Sequence, residues 1–158
     1  MNNKKTTANR IKLNLLRVYA EKCGFYDLTI CEGEQFEYSA SEYKIWVSFA
    51  TDPVFDDFFM RHLVEVHQPQ IALPVFLWSF LHELGHAEED DFLDEEPEYN
   101  PMLREILRFA DNNQKTADAY FSLVEEYNAT NWAVVHAEHH IKELISLQVA
   151  LDLADTWN

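Results

Sequence analysis

Two histidines, His82 and His86, lie four residues apart, and Glu83 directly follows the first of them. In an α-helix, residues four apart lie on one face, one turn apart, so both imidazoles can reach a common point. Imidazole nitrogens bind Zn²⁺ at about 2.0–2.1 Å. Glu83 would project toward the same cleft, where its carboxylate could take a proton from an attacking water and pass it to a leaving amine. The spacing therefore predicts a zinc site suited to peptide hydrolysis.

The residues around this motif have the spacing of a packed helix. Its apolar residues recur every three or four positions: Leu73, Phe76, Leu77, Phe80, Leu81 and Leu84. A buried helix is the rigid mount that a metal site requires. Gly85 costs such a helix about 1 kcal/mol relative to alanine. We therefore expect a close neighbour at Gly85, a strand or a substrate, that leaves no room for a side chain.

Catalytic zinc needs a third protein ligand, because three ligands leave a position for water. In metzincins the third ligand is a histidine of the longer motif His-Glu-x-x-His-x-x-Gly-x-x-His. That motif would need glycine at position 89 and histidine at position 92, where this sequence has Glu89 and Phe92. A metzincin site with three histidines is therefore excluded. The remaining common arrangement takes a glutamate from a later helix.

Several residues near the end of the chain are candidates for this third ligand. Glu126 is preferred over Glu125, since Ala129, one turn later, would let its helix approach the zinc helix. Adjacent acids on an exposed helix are more often only solvated. The spacing alone therefore does not assign the ligand to Glu126, and Glu125 stays open as a candidate. Three histidines and one aspartate could also supply the ligand: His136, His139, His140 and Asp118.

The rest of the sequence predicts the elements that position these residues. A helix over about residues 8–22 ends at Gly24, where a left-handed cap is expected. A strand over residues 28–31 follows, and then a hairpin whose second strand, Tyr43 to Phe49, alternates in polarity. After Asp52 only helices are predicted, over about residues 55–67, 74–89, 101–111, 114–136 (with a possible break) and 139–155. The predicted fold class is α+β, with a small antiparallel sheet of about three strands packed on a mostly helical body. We expect a single domain over residues 1–158, with residues 1–8 as a disordered tail.

The chain has a net charge of −16, from 28 acidic and 12 basic residues. Such a surface repels phosphate backbones, so direct nucleic-acid binding is not expected, whereas basic proteins would be attracted. Many of the acids directly follow the zinc helix: Glu88, Glu89, Asp90, Asp91, Asp94, Glu95, Glu96 and Glu98. A solvated loop is one interpretation of this acidic run, and the steering of a basic protein substrate to the cleft is the other.

The sequence also predicts where the protein works. Residues 1–10 are polar and contain no apolar run long enough for a signal peptide, so we do not expect one. The longest apolar stretch, Ile71 to Leu81, is far shorter than the roughly 20 residues that span a bilayer. Cys23 and Cys31 lie in different predicted elements, and we expect two buried, reduced thiols. We therefore predict a soluble, cytoplasmic protein without a membrane partner.

Two stretches resemble the ImmA/IrrE-like zinc metallopeptidases of the gluzincin group. The segment Phe80 to His86 looks like the zinc helix of that family. The pattern of Glu126, Ala129, Trp132 and Ala133 is similar to its later Glu-x-x-Ala-x-x-aromatic-Ala helix. The order of a helix, short strands and then the zinc helix is also similar. The resemblance covers about residues 8–135 and implies a minimal zincin-like fold.

The resemblance implies a cofactor, a set of roles and a class of substrate. Zn²⁺ would be bound by His82, His86 and Glu126, with Glu83 as general base for peptide-bond hydrolysis. The implied substrate is a specific intracellular protein, such as a basic DNA-binding repressor of a phage, mobile element or stress circuit. An edge strand would hold the substrate as an added strand, and the candidate contacts on it are Tyr43, Ile45 and Val47.

A different function would need no catalysis. The protein could be an acidic inhibitor or anti-repressor that binds a DNA-binding protein without cleaving it. The high negative charge suits this function, whereas the presence of Glu83 between the two histidines suits a peptidase. Replacing Glu83 by glutamine would separate the two, because only hydrolysis requires its carboxylate.

Overall fold

The structure, a computed structural model, describes residues 2–89 and 99–156. The described residues form helices and one small three-stranded sheet, which confirms the predicted α+β class. The chain divides into two compact units, one of Met1–Ala50 with His139–Asn158 and one of Thr51–Glu138. The single domain predicted over residues 1–158 stays a prediction. Most of the acidic run, residues 90–98, lies outside the described residues.

In the first unit, helix α1 (Asn2–Lys22) packs against helix α7 (Ile141–Asp155). The disordered tail predicted over residues 1–8 is wrong for residues 2–8, which form the first turns of α1. Ala8, at the end of that segment, is only 7% exposed. Asn3, Lys4, Lys5 and Thr6 are exposed, so the burial begins at Ala8, and local composition does not reveal the distant segment that buries it.

The end of α1 has the cap that the sequence predicts. Gly24 has a φ of +96°, in the left-handed region that favours glycine. The Phe25 N–H donates to the Ala20 carbonyl at 3.0 Å, and the Gly24 N–H donates to the Glu21 carbonyl at 3.0 Å. This pair of bonds is the Schellman motif, which satisfies carbonyls that would otherwise have no helical partner.

Three short strands form the sheet: β1 (Thr29–Glu32), β2 (Glu37–Ser39) and β3 (Lys44–Val47). The order in the sheet is β1-β3-β2, with β3 parallel to β1 and antiparallel to β2. The predicted hairpin of β2 and β3 is confirmed. The prediction of a wholly antiparallel sheet is wrong, because the hairpin turns the chain back and β3 then runs in the same direction as β1. Cys23 and Cys31, both in this unit, are free thiols, but both are partly exposed, so the prediction that they are buried is wrong.

Strand β3 is central, so the prediction that Tyr43, Ile45 and Val47 lie on an edge strand is wrong. Residues of β3 pair with β1 on one side and with β2 on the other, which leaves no free edge for an added peptide. Ile45 and Val47 are 0% exposed. Alternating polarity identified the buried face of β3, but it does not specify how many neighbours a strand has.

The second unit consists of helices. They are α2 (Pro53–His62) with a π-helical turn (Leu63–His67), α3 (Val75–Glu88), α4 (Tyr99–Arg108), α5 (Gln114–Phe121) and α6 (Val124–His139). Asp52 caps α2 by accepting a hydrogen bond from the Phe55 N–H at 3.2 Å, and Pro53 occupies the first helical position. The predicted helix over residues 114–136 is broken between α5 and α6, at the place where the chain must turn. No helix among the described residues combines the length and the apolar character that crossing a bilayer requires.

Candidate metal centre

Helix α3 presents the two histidines of the motif from a buried position. Nearly all residues from Leu77 to Ala87 are buried. His82 is 5% exposed and Glu83 is 8% exposed. A helix packed on most of its surface has little freedom to rotate, so the side chains of the motif are held in a fixed arrangement.

The side chains of His82, His86 and Glu126 converge. Nε2 of His86 lies 3.1 Å from Nε2 of His82 and 3.1 Å from Oε1 of Glu126. Nε2 of His82 lies 3.3 Å from the same oxygen. One donor atom from each residue falls within 4.8 Å of the other two. Two imidazoles and one carboxylate are the donor set of a His₂Glu zinc site.

The residues left open as third ligands have other partners in the described part of the chain. Glu125 accepts a hydrogen bond from Nε of Arg104 at 2.6 Å. Asp118 lies 2.9 Å from Nδ1 of His62, and the ring of His136 stacks on Trp132. Among the described residues, the converging group contains none of these, nor His139 or His140.

Thr130 orients His82, and sequence reasoning missed this contact. The Thr130 hydroxyl donates to the backbone carbonyl of Glu126 at 3.0 Å, so its oxygen accepts from Nδ1–H of His82 at 2.8 Å. With the proton on Nδ1, Nε2 keeps a lone pair directed into the converging group. The available signal was spacing, because a hydroxyl one turn after Glu126 lies on the same face of α6.

Gly85 allows α3 to approach α6 closely, which confirms the predicted close neighbour, but this neighbour is the backbone of Ala129 on a helix and not a strand or a substrate. A Cβ built on Gly85 would lie 2.4 Å from the carbonyl oxygen of Ala129 and 2.9 Å from its Cα. Both atoms are backbone and cannot move aside as a flexible side chain would. This contact sets the distance between the helix with the histidines and the helix with Glu126.

We expect Gly85→Ala to destabilise the protein by about 2 kcal/mol, as overpacking does, despite a gain of about 1 kcal/mol in helix propensity. The methyl group must push α3 away from α6, which also separates His86 from Glu126. Thermal unfolding and zinc titration of the variant measure the two effects. An unchanged unfolding temperature together with unchanged zinc affinity would contradict this role of Gly85.

Arg104 and Tyr120 lie next to Glu126 and Glu125, and of these neighbours only Glu125 was considered from the sequence. Arg104 on α4 donates from Nη2 to Oε2 of Glu126 at 3.1 Å and from Nε to Glu125. Its guanidinium lies over the ring of Tyr120 on α5, 5.6 Å from the centroid. Arg104 and Tyr120 gave no signal in the sequence, because their relation to Glu126 depends on how α4 and α5 pack.

The electrostatics of the group favour a cation among the three donors. Burial alone would raise the pKa of Glu126, but the neighbouring imidazoles of His82 and His86 hold this pKa well below its usual range. Burial alone would lower the pKa of His86, but the carboxylates of Glu126 and Glu83 raise it. The neighbouring carboxylates therefore stabilise a positive charge at this position. A divalent cation bound to the same three side chains would supply that charge in place of the proton on His86. The residues present fit a zinc ion.

Aromatic rings line the inner side of His82. The rings of Phe59 and Phe121 lie 5.8 and 5.9 Å from its centroid, both edge to face. Behind them, His62 is 1% exposed, and its ring lies 6.0 Å from that of His67. The Nε2 atoms of both histidines are buried and have no hydrogen-bond partner within the described part of the chain. This apolar wall excludes water from the inner side of the site.

Because His67 is half-buried, we expect the free energy of unfolding of the protein to decrease in acid. Burial, and then the neighbouring His62 and His82, lower the pKa of His67 to about 4. The unfolded chain therefore binds a proton between pH 6.5 and about 4 that the folded chain does not, and stability falls as the pH falls through this window. Allowing for solvent screening, we expect a loss of about 1 kcal/mol between about pH 7 and about pH 5.

Thermal unfolding of the metal-free protein at these two pH values measures the effect. His67→Phe keeps a ring against Tyr127, 4.8 Å away in the native protein, but cannot titrate. The variant should lose less stability than the wild type over the same pH change. An equal loss in both proteins would show that His67 does not cause the acid sensitivity.

Comparisons of the chain with protein-family models, with curated proteins and with solved structures find no match. The resemblance to ImmA/IrrE-like peptidases therefore stays a prediction from two short motifs. The function of the chain has to be inferred from the geometry of the converging side chains.

Proposed function

We propose that the chain is a zinc-dependent peptidase, in which His82, His86 and Glu126 bind Zn²⁺ and Glu83 is the general base. The observation that supports this most is the convergence of three zinc-type donors from two helices, with His86 and Glu126 40 residues apart in sequence, next to a buried glutamate. Chance placement of acids and histidines on a surface would not give a buried group with an oriented imidazole.

The surrounding residues have roles that suit hydrolysis of a peptide bond. When bound, zinc would polarise the peptide carbonyl and lower the pKa of a water molecule. Glu83 would take the proton of the attacking water and deliver it to the leaving amine. Burial, together with the charge of Glu126, raises the pKa of Tyr120, so its hydroxyl stays protonated beside that carboxylate. Phe59 and Phe121 would exclude bulk water from the inner face.

The proposed substrate is a basic intracellular protein, such as a DNA-binding repressor of a phage, mobile element or stress circuit. The net charge of −16 supports an electropositive partner, and the proposed location is the cytoplasm. The substrate does not bind by pairing with β3, because both edges of that strand are occupied.

The test combines metal analysis with a hydrolysis assay. The purified protein should contain about one zinc per chain, and it should cleave members of a random peptide library detected by mass spectrometry. A chelator should stop cleavage, and added Zn²⁺ should restore it. A protein that takes up no zinc in titration, or that cleaves equally well with chelator present, would refute the proposal.

The second candidate is an acidic inhibitor that binds a DNA-binding protein without cutting it. The observation that favours it is the same net charge, since a strongly negative surface can occupy a nucleic-acid site. It predicts that loss of Glu83 leaves the biological effect intact. The Glu83→Gln variant therefore distinguishes the two candidates.

A further inference from the structure

We infer that Arg104 is a positioning residue of the metal site, which holds Oε2 of Glu126 so that only Oε1 faces the metal, and that Glu125 anchors this arginine. The inference rests on the proposed zinc site. It adds two residues, Arg104 and Glu125, that neither touch the metal nor take part in proton transfer.

The two oxygens of Glu126 have different partners. Oε1 lies 3.3 Å from Nε2 of His82 and 3.1 Å from Nε2 of His86. Oε2 accepts the hydrogen bond from Nη2 of Arg104 at 3.1 Å. Glu126 as a whole is 3% exposed, so water cannot replace either partner. Oε1 of Glu126 thus faces the two histidines, and Oε2 faces Arg104.

Glu125 determines where Arg104 can be. Nε of Arg104 donates to Oε1 of Glu125 at 2.6 Å, and Glu125 is only 6% exposed. A buried carboxylate without a partner would be costly, so this pair is strongly favoured. The planar guanidinium can donate to two carboxylates at once in a fixed geometry, which a lysine cannot do. Contact with the face of Tyr120 also restrains its plane.

This arrangement has a consequence for metal coordination. A carboxylate with one oxygen engaged elsewhere binds as a single donor, so the site has three protein donors and keeps an open position for water or substrate. If Oε2 were released, Glu126 could bind through both oxygens while the water stays bound, which would raise the coordination number from four to five. Arg104 would therefore maintain the geometry on which catalysis depends, although it is held away from the donors on the other side of Glu126.

The competing explanation is that Arg104 is only a nearby positive charge. Burial opposes ionisation, but the carboxylates of Glu126 and Glu125 raise the pKa of Arg104, so it stays charged. A positive charge close to a divalent cation weakens binding by Coulomb repulsion. On this explanation, removing the charge would tighten zinc binding, whereas loss of a positioning residue would weaken it. The two explanations predict opposite signs.

The experiment titrates the metal-free protein with Zn²⁺ against a chromophoric chelator. We expect Arg104→Gln to weaken zinc binding about 10-fold, the lower range for loss of a residue that orients a ligand. Arg104→Lys keeps the charge but loses the planar guanidinium that donates to both carboxylates, and it should also bind zinc more weakly. The control, Arg108→Gln, lies one turn later on α4, where Arg108 is exposed and pairs with Glu105, and its affinity should be unchanged.

A second measurement does not depend on affinity. With Co²⁺ in place of zinc, the visible absorption is more intense for four-coordinate than for five- or six-coordinate metal. We expect a weaker band in both Arg104 variants than in the wild type, because Glu126 then binds through both oxygens. Circular dichroism of each variant controls for folding, and Arg104→Lys serves if Arg104→Gln does not fold.

The outcomes separate this inference from the proposed function. If the wild type binds neither Zn²⁺ nor Co²⁺, the proposed function fails, and the inference fails with it. If the wild type binds both but Arg104→Gln and Arg104→Lys bind as tightly and give the same cobalt spectrum, only the inference is overturned. Tighter zinc binding in Arg104→Gln would favour the charge explanation and would also overturn it.

Discussion

Glu83→Gln is expected to keep zinc binding and to lower peptide hydrolysis by about 10³-fold, the usual contribution of a general base. Glutamine has nearly the same shape as glutamate but cannot accept the proton of the attacking water. Glu83 is 8% exposed and lies outside the group of converging donors. Its replacement therefore removes the base and leaves the three proposed ligands in place.

The assay is cleavage of the peptide library by zinc-loaded protein, with zinc content measured on the same samples. Glu88→Gln is the matched control, because Glu88 is an exposed acid near the end of the same helix and its loss changes the net charge equally. The control should cleave at the wild-type rate. Full activity in Glu83→Gln would show that another group is the base. Intact biological activity without any cleavage would favour the acidic inhibitor.

Glu126→Ala is expected to lower zinc affinity by more than about 100-fold, because loss of a ligand exceeds the roughly 10- to 100-fold effect of losing a residue that only orients one. The variant leaves His82 and His86 without the carboxylate that approaches both of them within 3.3 Å. Arg104 retains Glu125 as a partner, so the change does not leave the arginine buried without a counter-charge. His82→Ala should have an effect of similar size.

Zinc titration by chelator competition measures this effect, and hydrolysis should be lost in parallel. The control is His139→Ala, which removes an exposed histidine at the end of the same helix that the sequence left open as the third ligand. We expect its zinc affinity to equal that of the wild type. A normal affinity in Glu126→Ala, with a loss in His139→Ala, would contradict the assignment of the third ligand.

The sequence by itself determined the features that depend on neighbours along the chain. The one-turn separation of His82 and His86 follows from helix geometry, which is local. The cap at Gly24 and the start of α2 at Asp52 follow from the conformational preferences of single residues. The close contact of Gly85 could also be expected, since a glycine inside a packed helix needs a reason.

The tertiary structure decided every feature that depends on which distant segments meet. Spacing to Ala129 favoured Glu126 over Glu125 but left Glu125 open, because adjacent residues on a helix point about 100° apart and only packing against α3 shows which one faces the histidines. Thr130 and Arg104 contact the site from α6 and α4, and their roles appear only once these helices are placed.

The sheet shows the same division between local and distant information. Alternation along Lys44–Val47 identified a strand and its buried face. It could not show that β3 lies between a parallel and an antiparallel neighbour, because backbone hydrogen bonds between strands do not depend on side-chain pattern. Chemistry encoded in residue spacing was therefore accessible from the sequence, whereas pairing between segments required the folded chain.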